Sequence, residues 1–192
     1  TPSLALDWAL QLCQLLVYLD QVQSVYRLPF LAPQHVMVAM NGQVQVIDYG
    51  FKALFAPNDY GPYGSVAGYS APGLQQEPPS FASDMYSLGR LLYAVLVKRD
   101  LAQSARNLLP LREAVPGISD SFARVIARSA QKDQAKRFRT PAELLSALQQ
   151  ATPTTDGSPS ADWLVQAMHV PQAVAAARKT VQQPAASRVE LS

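Results

Sequence analysis

His35 and Asp48 are the two side chains whose types and spacing come closest to a reactive pair. They stand at the ends of residues 35–48, where Val36-Met37-Val38 and Val44-Gln45-Val46-Ile47 flank Asn41-Gly42, a strong signal for a two-residue hairpin. An imidazole and a carboxylate could together hold a transition metal. Two ligands are too few and no third is obvious, so the pair reads as polar surface and no metal is expected. Asp48 also opens Asp48-Tyr49-Gly50, a strand-to-turn corner where a carboxylate can cap the turn through local backbone bonds. Cys13 lies between Leu12 and Leu15 with no His close in sequence to activate it, so it reads as a small core residue rather than a nucleophile. His169 stands alone and reads as solvent-facing. Tyr60, Tyr63, Ser65, Tyr69 and Ser70 crowd one Gly- and Pro-containing segment. They could be phosphorylation targets, but Tyr is favoured where a loop packs on a partner, and that reading is preferred.

The elements that would position these residues are mostly helical. Trp8, Leu12, Leu15, Leu16 and Leu19 fall on one stripe of a helix over residues 4–22. Pro29 and Pro33 forbid regular helix between them. The hairpin over residues 35–48 follows, then a long loop over residues 49–80, of a length that is usually functional or covered by a partner. A strongly apolar helix runs over residues 81–97, where Ser83, Ser87 and Gly89 let neighbours come close. Residues 98–118 read as irregular with a short helix. Ser119 caps a helix with Phe122, Val125 and Ile126 on its buried face. The last helix starts at the N-cap Thr140, with Pro141 in its first turn and Glu143 closing a capping box; Leu144, Leu145 and Leu148 form its core face. Composition then shifts to a Thr/Pro/Ser/Asp/Gly linker at 151–160. A tail over 161–192 holds two short helical possibilities, of which the one around Trp163 could dock on this domain or on another protein. The alternative is a disordered tail.

The 192 residues allow one domain plus that tail. Hydrophobic residues reach 48% but charged residues only 16%, below the quarter or so of an average domain. A net charge of +2 with no dense basic run argues against nucleic acid. One cysteine excludes an intrachain disulfide, and neither a signal peptide nor an apolar run of membrane-spanning length is expected. A cytoplasmic, reducing compartment is the default.

Taken in order, Asp48-Tyr49-Gly50, Gly68-Tyr69-Ser70-Ala71-Pro72, Ser83-Asp84-Met85-Tyr86-Ser87-Leu88-Gly89 and Lys136-Arg137-Phe138 resemble the C-terminal lobe of a serine/threonine protein kinase. The resemblance covers residues 1–150 and implies a mainly α fold carrying a small β-hairpin. The N-terminal lobe, with its Gly-rich loop and strand Lys, is absent from this chain. Asp48 would take the magnesium-binding position, and Gly50, Pro72, Asp84 and Arg137 would be architectural. In that family the matching Asp of the central helix holds the backbone of the catalytic loop.

The same resemblance marks what has been replaced. Against the family's His-Arg-Asp-Leu-Lys-Pro-x-Asn, this chain reads Leu28-Pro29-Phe30-Leu31-Ala32-Pro33-Gln34-His35. Phe30 stands where the proton-accepting Asp belongs, Ala32 where a Lys steadies the transferred phosphate, and His35 where an Asn holds magnesium. Val66 replaces a Thr, and Gly73 replaces the Glu that would pair with Arg137, which should therefore be exposed or have found carbonyl acceptors. The resemblance thus implies an inactive pseudokinase lobe that binds or scaffolds another protein through its loop and the face an N-lobe would cover, with Tyr60, Tyr63, Tyr69 and Trp163 as interface candidates. No cofactor, nucleic-acid partner or membrane span is expected, and the protein partner could be part of a multi-subunit complex. The rival readings are a phosphotransferase whose second lobe comes from another chain, and a purely structural subunit.

Overall fold

The computed structural model describes residues 1–22, 28, 31–47, 65–74, 78–103 and 108–154. Phe30, Asp48, Gly50, Tyr60, Tyr63, Trp163 and His169, singled out above, lie outside the described residues. Within those described, the fold is mainly helical with one two-stranded antiparallel sheet.

Helix α1 spans Pro2–Gln21; Thr1 is its N-cap and its hydroxyl accepts from the Leu4 N–H at 3.4 Å. Ala5, Leu6, Ala9, Leu12, Cys13 and Leu16 are buried, while Trp8, Leu15 and Leu19 of the expected stripe are only half-buried. The stripe is rotated toward small residues because the last helix comes in close: the Cys13 thiol donates to the Pro141 carbonyl at 3.4 Å. Contrary to expectation, α1 has the length and mean hydropathy of a membrane-spanning helix. Its partners are nevertheless two other helices, as in a core helix.

Strands β1 (Val36–Val38) and β2 (Val44–Val46) pair as Val36 with Val46 and Val38 with Val44. Inside the Ala39–Gln43 pair the turn is three residues, 40–42, rather than the expected two. Ala39 donates to Gln43 at 2.8 Å, Gly42 donates back to Ala39 at 2.9 Å, and Gly42 takes φ 82°. A turn followed by a left-handed glycine suits that longer loop.

Helix α2 (Phe81–Val97) starts in a reciprocal capping box between Ser80 and Ser83. Helix α3 (Leu111–Ala114) is one turn; α4 (Asp120–Ser129) is capped by Ser119, whose hydroxyl accepts from Phe122 N–H at 3.1 Å. Helix α5 (Pro141–Gln149) is capped by Thr140, but Glu143 does not close the expected box: its carboxylate accepts from the Arg139 N–H at 2.7 Å instead. Helix α1 packs on α5 and α2, and α2 on α4. Gly89 is the point of closest approach, since a Cβ there would lie 2.8 Å from the Ser129 Cβ.

The linker begins later than composition implies. Ala151 is buried, Thr154 bridges to Ile118, and Ser119 donates its hydroxyl to the Thr152 carbonyl and its N–H to the Pro153 carbonyl. Residues 151–154 therefore belong to the packed domain.

Candidate functional site

The segment leading into β1 is the stretch that the sequence resemblance sets against a kinase catalytic loop. Leu28, Leu31 and Ala32 are buried, and a short 3-10 turn, Pro33–His35, turns the chain into the hairpin. Ala32 has no exposed surface and belongs to an apolar cluster with Tyr69, Ala94 and Leu101. His35, expected as polar surface, is instead buried, because the 3-10 turn folds it under the hairpin; its N–H donates to the Ala32 carbonyl and its own carbonyl accepts from Ile47. No grouping of three or more metal-ligating side chains occurs among the described residues.

Tyr69 requires a correction. Expected at an interface, it is 1% exposed, because its ring fills the cluster under residues 65–74. Its hydroxyl donates to Asp100 at 3.0 Å and accepts from the Leu101 N–H at 3.1 Å. Burial and the Asp100 charge raise its pKa, opposed by the Leu101 hydrogen bond and by Arg90. The loop is held from α2 too, where Arg90 Nε donates to the Gly68 carbonyl at 2.7 Å. Gly68 sits at φ 80° with Leu101 so close that a Cβ would come within 2.4 Å of its carbonyl oxygen. Pro72 and Gly73 remain exposed on the turn that follows.

Asp84 is fully buried in the first turn of α2. Arg137 is 3% exposed and has found carbonyl acceptors: Gln131 at 2.7 Å, Ala82 at 2.9 Å and Lys132 at 3.0 Å. Its guanidinium also lies 4.8 Å from the centre of the Tyr86 ring. These bonds occupy all three nitrogens of the guanidinium fork.

Two features escaped the sequence. Asp7 is 1% exposed with neither carboxylate oxygen hydrogen-bonded, and burial pushes its pKa up to about 6. It lies off the apolar stripe of α1, so helical periodicity carries no sign of its burial. One turn further on, the Gln11 carboxamide clamps the hairpin, accepting from Val44 N–H at 2.9 Å and donating to the Gly42 carbonyl at 3.1 Å. A glutamine inside an amphipathic helix announces no such partner.

No family model matches the chain. It is similar to the serine/threonine-protein kinase PknG of Mycobacterium leprae, with 30% identity over 163 residues, which are 82% of this chain and 21% of that protein. PknG of Mycolicibacterium smegmatis is 29% identical over 160 residues, 81% of this chain and 20% of that one. The chain spans about a fifth of the length of these curated relatives. Both are named as protein kinases, and the similarity supports a kinase-like relationship for this chain.

Proposed function

We propose that this chain is a catalytically inactive, kinase-like C-lobe that serves as a protein-binding or scaffolding module. One observation carries the reading: Ala32, where the resemblance puts the phosphate-steadying lysine, is sealed in an apolar cluster with Tyr69, Ala94 and Leu101. A cation held there would be stripped of water without a partner. Phe30 in place of the proton acceptor points the same way. What the region offers instead is surface. Met37, Val38, Met40 and Ile47 are exposed on or beside the hairpin, and exposed apolar patches mark interaction sites.

The test is a thermal-shift titration with magnesium-ATP, run beside an assay for transfer of labelled γ-phosphate to a serine/threonine substrate. The melting temperature should not move and no label should transfer. A stabilisation that disappears in Asp48→Ala would favour the phosphotransferase completed by another chain. Size-exclusion chromatography checks the binding half separately; a lone monomer under all conditions, including in lysate, counts against it.

A further inference from the structure

The two outer edges of the hairpin are treated differently. Main-chain bonds join Ile47 to His35 at 2.9 Å and Ala39 to Gln43 at 2.8 Å, so the alternating ladder makes Met37 and Gln45 the bonded pair between them. Val36, Val38, Val44 and Val46 then turn their main-chain groups outward. On the β2 side, Gln11 meets this edge with its carboxamide, standing in for a third strand at Val44 and Gly42. On the β1 side, the Val36 N–H bonds the Pro33 carbonyl. Among the described residues, nothing meets the outward groups of Val38, which is 43% exposed.

Beside that bare edge lies an apolar cavity of about 150 Å³, walled by Trp8, Leu12, Val36, Val38, Leu91 and Val95. A cavity of this size takes up a benzene-sized group. Charge narrows the occupant. There is no Asp, Glu, Lys or Arg from Leu28 to Ile47, and among the described residues no ionisable one walls the cavity. A charged side chain brought here would be desolvated with no counter-charge, so the complementary surface is uncharged. The edge also lacks the lysine or bulge that commonly blocks strand addition.

We propose that the outer edge of β1 binds an extended, uncharged, apolar segment of a partner protein, which adds as a third strand beside Val36–Val38 and seats a side chain between Trp8, Leu91 and Val95. An extended strand satisfies the Val38 main chain, whereas a helix leaves it unbonded. The proposal deepens the protein-binding reading above and rests on it.

The test uses the full chain, isotope-labelled, titrated with a blocked heptapeptide of alternating Thr and Val. Amide exchange at Val38 is followed together with chemical shifts of α1, α2 and β1. The expected result is saturable binding with Val38 exchange slowed by about tenfold or more. Val38→Pro, which removes the donor, and Val95→Phe, which fills the cavity without touching the strand, should each weaken binding about tenfold. A Thr/Glu peptide should not bind. No saturable shift at about 1 mM peptide overturns the proposal, as does binding untouched by both variants. Val38 protection that precedes peptide addition also overturns it, naming a second copy if it depends on protein concentration and this chain's own residues if it does not. Failure here with a flat magnesium-ATP response removes the edge site and leaves the non-catalytic reading standing.

Discussion

Arg137 Nη1 donates to the carbonyl of Ala82 at 2.9 Å, fastening the segment ahead of α5 to the first turn of α2. The other two arms of the guanidinium fork bind Gln131 and Lys132, so one side chain holds two stretches distant in sequence.

Replacing Arg137 therefore strands several buried carbonyls at once. Arg137→Met should lower stability by about 2–4 kcal/mol, since hydrogen bonds to charged groups are the stronger kind. Arg137→Lys should recover only part of it, because an ammonium lacks the planar fork. Urea unfolding of the three proteins measures both differences.

Asp7 predicts an inverted pH dependence. Its pKa is about 6 in the fold against 3.8 unfolded, so the folded state holds its proton longer. The stability it contributes is fully present below the unfolded value and is lost as pH rises to about 6. Asp7→Asn, which keeps a neutral polar group there, should be more stable than the parent at pH 7.5 by about 3 kcal/mol. The gap should close below pH 4 or so. Comparing the two proteins across pH cancels the other carboxylates, including Glu143, whose pKa is lowered first by the Arg139 N–H and then by Arg128.

Gly68 and Gly89 are needed for different reasons, and alanine separates them. At Gly89 the added Cβ meets Ser129 and the Ala130 nitrogen at 3.0 Å, so α2 and α4 must part. Overpacking of this kind costs about 1–3 kcal/mol, partly offset by alanine's better helix propensity. Gly68→Ala adds backbone strain at φ 80° to a collision with the Leu101 main chain, and should lose more. Denaturation midpoints rank the two. An order reversed from this one would show that the 65–74 turn yields more easily than the helix contact.

Cys13 should behave as an inert thiol. It has no exposed surface, and burial pushes its pKa up to about 12. Iodoacetamide at neutral pH should leave the native protein unmodified and label it fully in denaturant, as read by mass spectrometry. Native labelling on the timescale of a free thiol would mean that α1 leaves α5.

Local chemistry was legible in the residues themselves. Ser119 and Thr140 cap the helices expected of them, and the valines around Asn41-Gly42 form the hairpin, because capping and turn preferences act within three or four residues. The motif order similarly carried the kinase-like relationship. Tertiary structure decided the rest. It turned Tyr69 from a surface candidate into core through Asp100 and Leu101, some thirty residues away. It buried Asp7, placed Gln11 against β2 and, among the described residues, left the outward main-chain groups of Val38 unmet. None of these follows from periodicity, since burial and polar pairing depend on which distant surface arrives, and that is settled only when helices α1, α2 and α5 close on one another.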